Sequence, residues 1–140
     1  MQDEGGQAGD RLRTHPEQRF QAGQRKIDLE QATADLRAEG RTGGGGHRQK
    51  TLYKHGGATI ALFMFDAGGR LAEHRTAGTV SIHALDGRLQ ISAGGETHDL
   101  SAGQLVVLAP GMPHDVTAVE PSRMLLTVSL EKPASPAAEG

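Results

Sequence analysis

The sequence contains no cysteine and no tryptophan. Without thiols there is no disulfide framework, no thiol nucleophile and no zinc–thiolate site. Neither sign of charge dominates. Fifteen Lys and Arg stand against 17 Asp and Glu, a formal net charge of −2 at pH 7. That balance gives no electrostatic footprint for nucleic acid or for an anionic membrane. Long hydrophobic runs are also missing. The longest apolar stretches, such as Ile60 to Phe65, fall far short of the roughly 20 residues that span a bilayer. The polar, Gly-rich N-terminus has no stretch resembling a signal peptide, so the expected setting is cytoplasmic.

What is present is unevenly spread over the 140 residues. Residues 1–25 hold only Leu12 and Phe20 as large apolar residues inside the segment. Such a segment buries too little surface to offset its ordering entropy and is expected to be a disordered tail. Over about 29–39 the pattern is helical. Asp28 is placed to cap, Gln31 follows at the capping-box position, and Gly40 comes after the end. Leu29, Ala32, Thr33 and Leu36 form a narrow stripe at i, i+3, i+4 and i+7. So short a helix needs a surface to lie on. Gly43 to Gly46 reads as a flexible hinge. The expected organisation is therefore a tail, helix and Gly linker over 1–49, a folded unit over 50–130, and a disordered C-terminal tail over 131–140. A folded unit of that size has a modest core, which favours support from a partner chain.

From Thr51 the periodicity becomes that of strands. Thr51–His55 leads through Gly56-Gly57 into Ala58–Phe65, an apolar run of strand length. Gly78–Leu85 alternates, with Val80, Ile82 and Ala84 on one face and Thr79, Ser81, His83 and Leu85 on the other. Asp86-Gly87 is a hairpin signal and is read as a turn and nothing more. Further strands are expected over 89–93, 96–100, 105–108, 113–119 and 123–130. Eight short strands with Gly or Pro between them indicate an antiparallel all-β sandwich or barrel. No Gly-rich phosphate loop precedes a helix, and there is no serine-nucleophile elbow.

Seven His are the main candidates for chemistry, at 15, 47, 55, 74, 83, 98 and 114. His15 and His47 fall in the tail and linker and read as solvated. His83 is at odd spacing from Val80, so it belongs to the outer face, where a dimer contact is expected. The sequence leaves the directions of His55 and His98 undetermined. His74 follows the Gly68-Gly69 turn, and His114 follows Ala109 to Pro113, where Pro110, Gly111 and Pro113 stiffen the backbone. Glu73 and Arg75 flank His74 and read as a solvated face.

The stretches GGRLAEHRTAGTVSIHALDG (68–87) and GQLVVLAPGMPHDVTA (103–118) resemble the two conserved motifs of the cupin superfamily. Gly68, His74 and Gly87 fall on the Gly, first His and last Gly of the first motif without insertion. Gly103, Gly111 and His114 fall on the Gly, Gly and His of the second. The resemblance covers about residues 50–130. It implies a double-stranded β-helix, a jelly-roll barrel of two antiparallel sheets with the motif residues pointing inward. Four motif positions depart. Thr76 stands at the second His, Val80 at the Glu, Ala109 at the Pro and Ala118 at the Asn. Cupin metal sites draw two His and a Glu from the first motif and a His from the second, so two of these four ligands are replaced.

A divalent site needs about three strong protein ligands to compete with water. Thr offers a weak neutral oxygen and Val offers none. The expectation is a small-molecule-binding cupin without an obligatory metal, its ligand held by His74, Thr76, Val80, Ile82 and His114. No cofactor is expected with certainty; a divalent Zn, Ni, Mn or Fe, if held, would fall to His74 and His114. One alternative is a metal-dependent enzyme of oxygenase or isomerase type using those two His. A metal-free enzyme would use one of them as general acid or base. A third alternative is a dimeric structural or regulatory module. A homodimer is the expected assembly, and the small molecule remains unidentified by sequence.

Overall fold

The computed structural model describes residues 23–40 and 44–130. The tails expected over most of 1–25 and over 131–140, and Gly43 of the expected hinge, lie outside the described residues. One helix, α1 (Leu29–Ala38), precedes nine strands. These are β1 (His47–His55), β2 (Ala58–Phe65), β3 (Arg70–His74), β4 (Thr79–Asp86), β5 (Arg88–Ala93), β6 (Glu96–Ser101), β7 (Leu105–Leu108), β8 (His114–Ala118) and β9 (Ser122–Ser129). The strand that periodicity missed is β3. Its Arg and Glu and its five-residue length hide any alternation.

The strands form two antiparallel sheets, in the orders β1-β2-β9-β4-β7 and β3-β8-β5-β6. Non-consecutive neighbours in both sheets are what a jelly roll requires. The inward faces meet in one apolar core. Phe63, Phe65, Val80, Ile82, Ala84, Leu108 and Met124 come from the larger sheet, and Leu89, Ile91, Leu100, Val116 and Ala118 from the smaller. Period-2 alternation is visible in β4, β5 and β8, where every second residue is buried.

A second, smaller cluster lies on the outer face of the larger sheet. Ala32 and Leu36 of α1 pack there with Leu52 and Leu62, and Ile60, Met64, Leu85 and Leu125 join them. The helix stripe thus finds its surface on β1, β2, β9 and the end of β4. Asp28 caps the helix, its carboxylate accepting from the backbone N–H of Glu30 and Gln31 at 2.9 and 3.0 Å. The Gln31 side chain does not close a capping box. Its amide donates instead to Asp35 one turn on, at 3.0 Å.

Two further expectations change. Asp86 is more than a turn residue. The ladder between β4 and β9 shifts between Ala84 and Asp86, which puts Asp86 opposite Arg123. Its carboxylate accepts from the Arg123 backbone N–H at 2.9 Å and from Nε at 2.7 Å. The same guanidinium donates to Glu30 and Thr33 of α1, at 3.2 and 2.9 Å, fastening helix to sheet. Nor are Gly45 and Gly46 a free hinge. Their carbonyls accept from Arg70 and Asp66 at 2.6 and 3.0 Å, pinning the chain to the β2–β3 turn. Both have positive φ, and a Cβ on Gly45 or Gly69 would press into the facing backbone. The glycines serve close approach, and β1 begins immediately after them. Among the described residues no helix is long and apolar enough to cross a membrane.

Candidate functional site

His74 reaches the interior because β3 is irregular. Leu71 pairs with Val116, yet the next paired residues are His74 and His114, three residues on in β3 and two back in β8. The extra residue is a bulge. A regular ladder would set Glu73 opposite His114; the bulge sets His74 there and leaves Glu73 exposed. His114 arrives by a different route. It opens β8, a strand whose alternate residues are all buried, and is itself only 2% exposed. The loop before it is tied across the mouth, the Gly111 N–H donating to the Thr76 carbonyl at 2.8 Å.

The two imidazoles meet with ring centroids 4.3 Å apart, tilted by 58°. Each Nδ1 lies 2.9 Å from a carbonyl oxygen two residues back, Ala72 for His74 and Met112 for His114. A carbonyl oxygen can only accept, so both Nδ1 atoms carry hydrogen and donate. In the neutral ring each Nε2 is then a lone-pair acceptor. The backbone thus engages the same ring nitrogen in both imidazoles and leaves each Nε2 for another partner.

The remaining expected site residues lie on the facing sheet and on the loop after β3. Val80 and Ile82, 2% and 0% exposed, lie on β4 of the facing sheet as members of the apolar core. The Thr76 hydroxyl turns back on its own loop, donating to the Gly78 carbonyl at 3.1 Å and accepting from its N–H at 3.3 Å. His83 sits on the outer face between Leu105 and Leu125. His98 pairs with buried Ile91, so it shares that residue's inward face, with Nε2 3.8 Å from Glu96. His55 ends β1, exposed.

Sequence reasoning misplaced His47. It opens β1 rather than lying in a linker, and its ring packs against Phe63 and Phe65 at centroid distances of 5.6 and 5.5 Å. Facing the Arg70 carbonyl at 3.1 Å, Nδ1 carries the hydrogen and donates. Nε2 is 3.3 Å from the Gln49 side-chain oxygen. The signal was the period-2 series His47, Gln49, Thr51, which the preceding glycines obscured.

The donor set does not fit a tightly held divalent cation. Two imidazoles are present, the position that would bring a carboxylate is buried Val80, and the Thr76 oxygen is engaged. Among the described residues, no group of three or more His, Cys, Asp or Glu is arranged to hold a metal ion.

The family profile described as the cupin domain matches residues 61–129, which takes in both His residues and strands β3 to β9.

The chain belongs to the cupin superfamily.

Solved structures agree. A conserved protein of unknown function from Streptococcus pyogenes is 28% identical, with 78% of this chain and 90% of that one covered and a TM-score of 0.62. An RmlC-like cupin from Shewanella frigidimarina is 19% identical over 64% of this chain and 80% of that one, with a TM-score of 0.60. Salicylate 1,2-dioxygenase from Pseudoaminobacter salicylatoxidans, in adducts with gentisate, reaches a TM-score of 0.65 at 16% identity. It covers 81% of this cupin and 40% of the dioxygenase. The last two likenesses, at such identities, concern the fold. No curated protein matches the chain. Cupin relatives thus include an enzyme and proteins of unknown function, and fold alone does not choose between them.

Proposed function

We propose that this cupin binds a small organic molecule at the His74–His114 end of the jelly roll, with no resident metal required. The observation that supports the reading is the double tautomer lock. Two Nδ1 atoms spent on backbone carbonyls leave two neighbouring Nε2 acceptors, one of them on a buried ring. Such a pair recognises a ligand that brings hydrogen-bond donors, as hydroxyl or N–H groups do, while the apolar residues behind it exclude water. With both rings neutral, such an acceptor pair disfavours an anion, because a carboxylate would face two lone pairs.

The test is a ligand screen read at the imidazole nitrogens by long-range nitrogen–proton NMR, in wild type, His74→Ala and His114→Ala. Hydroxyl-bearing compounds are expected to shift both Nε2 resonances and to lose at least tenfold in affinity in either variant. Binding that persists undiminished in both variants would overturn the reading. Backbone-anchored Nδ1 atoms are also how ligating His residues are held in metal sites, which keeps a metal-dependent enzyme as the second reading. Elemental analysis after dialysis separates the two. About one equivalent of metal, lost in both variants, would replace the first reading with the second.

A further inference from the structure

Two edge strands carry the same irregularity, and each turns a polar side chain inward. In β3 the bulge puts Leu71 and His74 on one face although they are three residues apart. In β1 the register shifts between Thr51 and Tyr53. Thr51 is opposite Ala61 of the core, and Lys54 is opposite Thr59, on the same face of β2 as Ala61. Directly opposed side chains share a sheet face, so Thr51 and Lys54 both belong to the inward face. A regular ladder would have sent Lys54 outward. Guarding the edge would not require this, since Arg48 and Lys50 already bring charge to β1. A bulge next to a binding site re-aims a side chain.

The interior beside Lys54 is open. The ladders of the larger sheet set Val80, Val128, Thr59 and Lys54 in one row from β4 to β1. Exposure rises along that row: Val80 is buried, Val128 and Thr59 are half-buried, and Lys54 is exposed. Val128 and its inward neighbour Leu126 lie on β9, the middle strand, so no sheet edge accounts for their exposure. Met124, on the same face of the same strand, is fully buried. The second sheet therefore seals one end of β9 and leaves the other uncovered. His74 is half-buried too. Strand β3 begins beside β1, with the Arg70 N–H donating to the Gly45 carbonyl at 2.6 Å, and the two edge strands run on from there to His74 and Lys54.

Resting on the His-pair reading above, we infer that the ligand is a short hydroxy acid with an apolar middle. Its hydroxyl meets His74 and His114, its carboxylate meets the Lys54 ammonium, and its carbon chain lies on Leu126 and Val128. The two poles differ in chemistry. Neutral Nε2 atoms accept a hydrogen bond and disfavour a neighbouring anion. The ammonium offers three donors and a full charge, which a carboxylate satisfies in a charge-assisted bond. A plain alcohol would leave the ammonium with water, and a fatty acid would leave the imidazoles unpaired. Packed sheets lie about 10 Å apart, so a chain of about six carbons is long enough to join the poles.

Isothermal titration calorimetry on the full chain compares ω-hydroxyhexanoate with hexanol and hexanoate, each of which lacks one pole. The hydroxy acid is expected to bind at least tenfold more tightly than either. Lys54→Met is expected to weaken the hydroxy acid at least fivefold and leave hexanol unchanged, while Lys54→Arg retains most of the affinity. About 0.5 M salt should likewise weaken the hydroxy acid and spare hexanol. Lys54 is exposed, so neither replacement opens a cavity. A hydroxy acid that binds no better than hexanol, or as well to Lys54→Met as to wild type, overturns the inference. So does the absence of measurable binding by the hydroxy acid. His74→Ala separates this failure from that of the His pair. If hexanol still loses affinity in His74→Ala, only the Lys54 pole is wrong; if neither compound does, the His pair fails as well.

Discussion

The two faces of the five-stranded sheet are built from the same strands and solved differently. The inward face meets a second sheet across β2, β9, β4 and β7, and its residues from those strands form one core with their partners. The outward face has only a ten-residue helix to cover it, so apolar residues are confined to the strip that α1 reaches. A face sealed by a sheet can be apolar throughout. A face sealed by one helix must be apolar in one strip and polar elsewhere, unless something else covers it. Leu105 and Val107, exposed on the outer face beyond the helix, are the exception to that rule.

Cavity-forming substitutions sharpen the contrast most. Ile82→Ala empties a position walled by both sheets and is expected to cost about 4 kcal/mol, near the top of the range for such changes. Leu36→Ala removes an equally buried side chain, yet its neighbours belong to a short helix that can settle onto the sheet. A cost of about 2–3 kcal/mol is expected there. Denaturant titration of both variants checks the order. Equal losses would mean that the helix is held as rigidly as the second sheet.

How far the sequence revealed this arrangement varies with the element. Strands β4, β5 and β8 announced themselves because one face is dry and the other wet, which writes period 2 into the residues. The helix stripe was legible for the same reason. His74 and His114 could be singled out from motif spacing, and the structure pairs them across β3 and β8. Their tautomers could not be read, since these depend on carbonyls of Ala72 and Met112 that carry no sequence signal. Thr76 and Ile82 likewise depend on packing for their surroundings. They share the right stretch of sequence, but a hydroxyl closing on Gly78 and a side chain in the core are set by three-dimensional packing. The role of Gly45 and Gly46 was hidden because a glycine needed for close approach has the same letter as one that loosens a hinge.

A second contrast, between two arginines, breaks the comparison at a finer scale. Arg123 is mostly buried and joins three elements, donating to Asp86, Glu30 and Thr33. Burial lowers its pKa, but hydrogen bonding and attraction to Asp86 and Glu30 outweigh that and leave it raised. Arg123→Met keeps much of the stem and removes the donors. A loss of about 1–2 kcal/mol is expected, discounted because Asp86 and Glu30 remain wet enough to be solvated. Faster amide exchange in α1 than in β4 of this variant would show that the guanidinium acts as the helix fastening. Uniform acceleration would show that it does not.

Arg88 and Asp99 give the smallest effect, although their geometry is the better of the two. The guanidinium grips the carboxylate at two points, at 3.2 and 2.8 Å, on the solvent side of β5 and β6. The Arg88 hydrogen bond holds the Asp99 carboxyl below its ordinary range, with burial opposing and charge attraction adding. A carboxyl depressed in the folded state contributes stability that is present above its unfolded pKa and lost as pH falls through the folded one. The contribution should therefore be intact at neutral pH and fade below the usual aspartate range near 3.9. Both groups are exposed, so water screens the pair and about 1 M salt should remove what remains. Comparing wild type with Asp99→Asn, the difference in melting temperature is expected to be small at pH 7 and low salt. It should close both in high salt and in acid. A difference that survives both conditions would mean that Asp99 acts through packing of the β5–β6 hairpin rather than through its charge.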